Sequence, residues 1–204
     1  MKIESENIKN YIINNTELGL NDEIRIENIE GIECLTINKL NYQLKEARFI
    51  PEELAYFKNL KTCGFSQFTI RDNIIKNLNK LQELNFLKFD HCRYIGQNEV
   101  ENNLENIELN YSDIELLYML KNKQSLKNAF IKDIENVDIE KISKYENLEN
   151  LSLLNCEIKN AKSLLKLKNL KTIKIIGSKL DDIMVINKLS SKVEYSEKRY
   201  LPMG

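Results

Sequence analysis

The chain has 204 residues, of which 42% are hydrophobic and 30% charged, and its formal net charge is −1 at pH 7. This balance provides enough apolar side chains for a core and excludes the composition typical of intrinsically disordered chains. No segment resembles a membrane span or a secretory leader, so we expect a cytoplasmic protein.

Residues 1–31 are predicted to form an N-terminal cap. Ile8, Tyr11 and Ile12 have helical spacing, whereas Ile24 and Ile26 alternate with a polar residue as in a strand. The sequence contains only two prolines and six glycines, and no linker-like segment separates the cap from the residues that follow. We therefore expect a single domain.

Residues 32–189 are predicted to consist of seven repeating units. Eight apolar or small positions recur after 22 residues in the two most regular copies, which begin at Leu148 and Leu170. The units start near residues 32, 60, 84, 104, 126, 148 and 170, so the spacing is less regular in the N-terminal half. A fixed period of this length is typical of a solenoid, in which each unit buries its apolar face against its neighbours.

Each unit is predicted to contain a short strand followed by a short helix or 3-10 turn. Leu151 and Leu153 alternate with polar residues, as in a strand with one buried face. Ile158, Ala161 and Leu164 then follow at helical spacing. Repetition of this unit predicts an α/β fold, with a curved parallel sheet on the concave side and the helical turns on the convex side.

Residues 190–204 are predicted to form a C-terminal cap strand and tail. Val193, Glu194 and Tyr195 occupy the place where the strand of an eighth unit would begin. A solenoid needs such an end because a terminal unit would otherwise expose its apolar face.

The repeat resembles that of leucine-rich repeat proteins. The pattern L-x-x-L-x-L-x-x-N/C-x-L is met by residues 148–158, LENLSLLNCEI. The 22-residue length resembles the bacterial internalin-type or SDS22-like class, and the Asn-, Lys- and Ile-rich composition also suggests a bacterial source. The ninth position, usually Asn in internalin-type repeats, differs here, so we expect no continuous asparagine ladder. The residues at that position are Leu40, Phe68, Cys92, Ser112, Ile134, Cys156 and Ser178.

The cysteines and the single histidine are not predicted to form a catalytic or metal site. Cys63, Cys92 and Cys156 occupy core or turn positions, and no C-x-x-C pair is present. A nucleophilic pair of Cys92 with His91 is conceivable, but strand alternation directs Cys92 towards the core. We therefore expect no disulfide, metal or cofactor, and no enzymatic activity.

The outward-facing strand positions are predicted to bind another protein. Exposed aromatic and aliphatic side chains flanked by charges are typical of protein interfaces. Phe86 would instead belong to the core if its unit began at Leu81. The resemblance implies an inhibitor, an immunity protein or an adaptor, which we expect to be monomeric when free. The predicted binding residues are Phe86, Lys88, Asp90, Glu108, Asn110, Phe130, Lys132, Ser152, Leu154, Lys174 and Ile176.

Nucleic-acid binding is an alternative, because charge is unevenly distributed. Residues 1–34 contain three basic and eight acidic side chains, whereas residues 159–204 contain eleven basic and four acidic ones. A basic surface can contact phosphates. The repeat phase, however, disperses five of these lysines over the convex side without aromatic residues between them for base stacking. They are Lys159, Lys162, Lys166, Lys168 and Lys179.

Overall fold

The computed structural model describes residues 3–16, 24–25, 27–40 and 48–197. Ile26 and the tail beyond residue 197 therefore lie outside the described residues. The strands are β1 (Cys34–Asn38), β2 (Thr62–Ser66), β3 (Thr69–Arg71), β4 (Phe86–Asp90), β5 (Arg93–Ile95), β6 (Asn106–Asn110), β7 (Asn128–Lys132), β8 (Val137–Asp138), β9 (Asn150–Leu154), β10 (Glu157–Lys159), β11 (Thr172–Leu180) and β12 (Lys192–Glu197).

The helical elements are short. The α-helices are α1 (Glu6–Asn15), α2 (Glu27–Glu30), α3 (Asp72–Leu78), α4 (Glu115–Tyr118) and α5 (Ile139–Ile142), and 3-10 helices span Pro51–Tyr56, Ala161–Lys166 and Ile183–Lys188. In the part of the chain that the structure describes, no helix has the length and apolar character needed to cross a lipid bilayer.

Eight parallel strands, β1, β2, β4, β6, β7, β9, β11 and β12, lie side by side in this order. They pair in register, so that the first residue of each strand is opposite the first residue of the next. These first residues are Cys34, Thr62, Phe86, Asn106, Asn128, Asn150, Thr172 and Lys192. The limits of the two caps remain predictions.

Short strands and helical turns follow the long strands and form the other side of the molecule. β3 pairs with β5, and β8 pairs with β10, which in turn pairs with the end of β11. α3 contacts the 3-10 helix at Pro51–Tyr56, and α5 contacts the one at Ala161–Lys166. The predicted fold, a parallel sheet backed by short helices and 3-10 turns, is confirmed.

The core is a continuous row of apolar side chains from Ile3 to Val185. Each long strand except β12 contributes its second and fourth residues, such as Leu151 and Leu153, because side chains alternate between the two faces of a strand. Tyr145 is fully buried, and its hydroxyl donates a hydrogen bond to the Leu117 carbonyl at 2.6 Å. A buried phenol needs such a partner because an unpaired hydroxyl would be costly.

α1 covers the outer side of β1. Ile8 and Ile12 on this helix are fully buried, as their helical spacing predicts. The buried carboxylate of Glu53 accepts hydrogen bonds from the backbone N–H groups of Glu4 at 2.6 Å and Ser5 at 3.0 Å. The sheet therefore has a covered edge at this end.

Serine and cysteine link neighbouring units at the ninth repeat position. The buried Ser112 and Ser178 hydroxyls accept hydrogen bonds from the backbone N–H groups of Cys92 at 2.9 Å and Cys156 at 3.0 Å. Both thiols donate to carbonyl oxygens, that of Cys156 to Ile131 at 3.5 Å and to Leu154 at 3.3 Å. Hydroxyls and thiols thus satisfy backbone groups of the preceding unit in place of an asparagine ladder.

We predict that Ser178→Ala lowers the free energy of unfolding by about 1–3 kcal/mol, because it leaves the buried Cys156 N–H without its acceptor. Ser152→Ala is the matched control, since Ser152 lies on the outward side of β9, and we expect a change within about 0.5 kcal/mol. Urea unfolding followed by circular dichroism measures both. Equal losses in the two variants would contradict this role of Ser178.

Candidate functional site

The outward-facing residues of the long strands form one surface, which we call the sheet face. On β4, β6, β7 and β9 the first, third and fifth residues are half-buried, whereas the second and fourth are buried. All eleven residues predicted to bind a partner lie on this face. Phe86 is half-buried, whereas Leu84 and Leu87 are buried. Its unit therefore does not begin at Leu81, and Phe86 belongs to the sheet face. Their role in binding remains a prediction.

Polar contacts between strands fix the side chains of β4 and β6. The Lys88 ammonium lies 4.8 Å from the centre of the Phe86 ring and 3.6 Å from a Glu108 carboxylate oxygen. The Asp90 carboxylate accepts hydrogen bonds from the Ser66 hydroxyl at 3.1 Å and the Asn110 amide at 2.6 Å. The charges in this part of the sheet face therefore have partners within the protein.

A row of hydrogen-bonded amides crosses four strands at the beginning of the sheet face. The Asn128 amide donates to Asn106 Oδ1 at 2.8 Å, and the Asn150 amide donates to Asn128 Oδ1 at 2.6 Å. The Thr172 hydroxyl continues the row by donating to Asn150 Oδ1. We call these four residues the amide row. The asparagine ladder missing from the ninth position thus has a counterpart at the third.

Three large apolar side chains lie close together on β7, β9 and β11. Leu154 pairs with Ile176 on one side and with Lys132 on the other, while Phe130 pairs with Ser152. Phe130 therefore lies on the strand next to Leu154, two residues before Lys132, which is the direct partner of Leu154. We call Phe130, Leu154 and Ile176 the apolar patch. It is the part of the sheet face where apolar side chains adjoin across three neighbouring strands.

In six of the units the residue after the fifth strand position has a left-handed backbone conformation. The residues concerned, each directly after the fifth residue of its strand position, are Gln67, His91, Tyr111, Asp133, Asn155 and Gly177, with φ between 46° and 64°. At Gly177 a bulge interrupts the pairing of β11 with β12. Asn155 lies so close that a side chain at residue 177 would collide with it. These residues line the carboxyl-terminal edge of the sheet face.

His91 and Tyr111 form a stacked pair on this edge, with ring centres 4.8 Å apart and planes inclined by 20°. Tyr111 is 51% exposed, and the neighbouring Asp133 carboxylate raises the pKa of its hydroxyl. His91 Nδ1 lies 3.1 Å from Asp90 Oδ1. Strand alternation missed this pair because both residues follow the strands. The available signal was an aromatic residue at the eighth position of two successive units.

His91 and Cys92 do not form a nucleophile and base. The His91 ring contacts Tyr111 and Asp90, whereas the Cys92 thiol is buried and donates to the carbonyls of Phe65 at 3.3 Å and Asp90 at 3.4 Å. Burial raises the pKa of Cys92 to about 11, which keeps the thiol protonated near neutral pH. Among the described residues, no group of three or more metal-ligating side chains is present.

Several lysines of the basic C-terminal part form ion pairs. Lys171 lies 2.6 Å from Glu149, Lys174 lies 3.2 Å from Glu194, and Lys162 lies 3.6 Å from Asp182. Lys159, Lys162, Lys166, Lys168 and Lys179 are exposed and lie on the strands and turns behind the sheet. These five lysines are thus separated from the apolar patch, and Lys162 among them is paired with a carboxylate.

Comparison with known proteins identifies the fold. No protein-family model matches the chain, and no curated protein matches its sequence. Internalin C2 from Listeria monocytogenes has a similar structure, with a TM-score of 0.57 and 15% identity over 95% of this chain and 98% of that one. Internalin F from the same organism gives a TM-score of 0.36 and 15% identity over 95% of this chain and 75% of that one. The predicted resemblance to internalin-type leucine-rich repeats is confirmed at the level of the fold.

We predict that one of the four thiols reacts rapidly with Ellman's reagent at about pH 8 in the folded protein. Cys34 is exposed, whereas Cys63, Cys92 and Cys156 are buried, and burial raises the pKa of all three buried thiols. Cys34→Ser should abolish the rapid phase, and guanidinium should make the remaining three thiols reactive. A rapid phase that persists in folded Cys34→Ser would contradict the burial of the other cysteines.

Proposed function

We propose that this chain is a non-catalytic module that binds another protein through its sheet face. The observation that carries the proposal is the apolar patch of Phe130, Leu154 and Ile176, which adjoins Lys132 and Ser152 on the paired strands. Interfaces commonly combine a few large apolar anchors with a polar surround that excludes water.

Charges of both signs surround the patch. Glu108 lies opposite Phe130 on the N-terminal side, and Lys174 lies opposite Ser152 on the C-terminal side. Desolvation of the apolar anchors would supply affinity, whereas the surrounding charges would favour a partner with complementary charges. The stacked pair of His91 and Tyr111 adds an exposed aromatic surface at the edge of the same face.

The rigidity and extent of the sheet face favour this function. Its long strands pair in register, and hydrogen bonds between strands hold Asp90, Asn128 and Asn150 in place. A surface already ordered before binding loses little side-chain entropy when a partner docks. Eight strands spaced about 4.8 Å apart extend over roughly 34 Å, which accommodates a standard interface of about 800 Å² per partner.

An inhibitor, an immunity protein or an adaptor are the roles we propose for such a module. An inhibitor or an immunity protein needs a preformed surface that covers a site on its partner, and an adaptor needs one that links two partners. None of these roles requires a catalytic side chain. The protonated, buried thiol of Cys92 and the contact of His91 with Tyr111 are consistent with a non-catalytic role. We place the protein in the cytoplasm of a bacterium.

We predict that Phe130→Asp abolishes partner capture, because a carboxylate in the apolar patch would be desolvated without a partner. Lys166→Glu is the control, since this exposed residue lies on the 3-10 helix behind the sheet. Wild-type protein and both variants are immobilised, and proteins bound from a lysate of the source cells are quantified by mass spectrometry. A specific partner should bind the wild type and Lys166→Glu but be at least about tenfold depleted with Phe130→Asp.

Circular dichroism and the thermal unfolding midpoint establish that both variants fold. If folded Phe130→Asp captures the same proteins in the same amounts as the wild type, the apolar patch is not the binding site. If Lys166→Glu loses the partner and Phe130→Asp retains it, the binding surface lies behind the sheet instead.

Nucleic-acid binding is the second candidate, favoured by the exposed lysines between residues 159 and 192. We expect no binding of mixed-sequence DNA or RNA at about 50 mM salt, since three neighbouring lysines are paired with carboxylates. Fluorescence anisotropy with labelled oligonucleotides measures this. Binding that falls steeply with salt and is weakened by Lys166→Glu would favour the nucleic-acid function over protein binding.

A further inference from the structure

An open cleft lies beside the sheet face at its carboxyl-terminal edge. It has a volume of about 500 Å³ and is formed by side chains within residues 111–118 and 133–141, the segments that follow β6 and β7. Asp133 lines the cleft and directly follows Lys132, which is the strand partner of Leu154. The cleft therefore adjoins the apolar patch.

The cleft carries an excess of negative charge. Its lining contains five carboxylates and one cation, which are Asp113, Glu115, Asp133, Glu135, Asp138 and Lys141. Glu115 and Glu135 are exposed, and neither forms an ion pair with a described residue. Asp113 and Asp138 accept hydrogen bonds from backbone N–H groups, which are uncharged. On the sheet face, by contrast, lysines and glutamates pair with each other. A cationic group of a partner would thus be favoured most at the cleft.

One carboxylate oxygen of the cleft lacks a hydrogen-bond donor. Asp133 Oδ1 accepts from the Asn155 amide at 3.1 Å, whereas Asp133 Oδ2 is buried and accepts no hydrogen bond from a described residue. The Lys132 ammonium lies 3.7 Å from Oδ2, which is beyond hydrogen-bonding distance. Because a buried acceptor without a donor is costly, a ligand that donates to Oδ2 would be stabilised.

Two tyrosine rings provide aromatic walls for a cation. The Lys141 ammonium lies 4.5 Å from the centre of the Tyr118 ring, so the cleft already holds one cation against an aromatic face. The Tyr111 ring stacks on His91 and is 51% exposed. A guanidinium group is flat, stacks on aromatic rings and has five N–H donors for carboxylates, whereas an ammonium is a compact point charge. Arginine therefore matches both the exposed ring and the unpaired oxygen of Asp133.

We propose that the cleft binds an arginine side chain of the protein that docks on the sheet face. The guanidinium stacks on Tyr111 and donates to Asp133 Oδ2, while Glu115 and Glu135 supply the surrounding negative potential. This inference rests on the proposed binding of a protein and specifies that partner, which carries an arginine beside the apolar segment that covers Phe130.

The first test titrates the folded chain with N-acetyl-arginine-N-methylamide, which presents the side chain as it occurs in a protein. Backbone amide chemical shifts measured by NMR should change in a saturable way within residues 111–115 and 133–138. The citrulline analogue has the same shape without the charge, and the lysine analogue has the charge without the flat group. Both should bind at least about fivefold more weakly. Free arginine should also bind more weakly, since the cleft repels its carboxylate.

The second test removes the two contacts one at a time with Asp133→Asn and Tyr111→Asn. Residues 133 and 111 have φ values of 55° and 46°, which asparagine adopts readily, so both variants should keep the wild-type circular dichroism spectrum. Each should bind the arginine analogue at least about fivefold more weakly. Glu52→Gln is the control, because it removes an exposed carboxylate on the distant 3-10 helix at Pro51–Tyr56 and should bind like the wild type.

Several outcomes would overturn the proposal. They are no saturable shifts at the cleft of the wild type, equal binding of the citrulline or lysine analogue, and unchanged affinity in both folded variants. Free arginine that binds as tightly as the analogue would assign the cleft to a small molecule instead. The capture experiment with Phe130→Asp reports separately on the proposed function. A partner lost with Phe130→Asp but retained by Asp133→Asn would leave protein binding intact and remove only the arginine contact.

Discussion

In-register pairing of parallel strands is the constraint on which the rest of this structure depends. Because side chains alternate between the faces of a strand, a shift of one residue would exchange every buried side chain for an exposed one. The register instead holds Leu151 and Leu153 in the core and leaves Ser152 and Leu154 on the sheet face. It also aligns equivalent residues of successive units, and this alignment creates both the apolar patch and the amide row.

The register is maintained although the turns are irregular in sequence. In six units the residue after the fifth strand position has a positive φ, so the backbone changes direction at the same point of each of these units. Ser112, Ser178 and the two buried thiols then satisfy backbone groups of neighbouring units. A ladder of asparagines is one way to meet this requirement, and hydroxyl and thiol groups meet it here with smaller side chains.

The 22-residue period made the strands and the orientation of their side chains predictable. The outward orientation of Phe130 is predictable because Ala129 and Ile131 on both sides of it correspond to core positions in the neighbouring units. The stacked pair of His91 and Tyr111 could not be predicted in this way, since residues after a strand are oriented by a positive φ and not by alternation. The short strands behind the sheet, such as β8 with two residues, are too brief to produce a periodic pattern.

The amide row is visible in the sequence as asparagines 22 residues apart, at the third position of the unit and not at the ninth. Its hydrogen bonds have a common direction, because each of Asn128 and Asn150 accepts with its oxygen and donates with its nitrogen. Chains of hydrogen bonds arranged in one direction strengthen one another. An isolated asparagine can turn its amide over, but these amides can do so only in concert, which makes the polarity of this row a collective property of four strands.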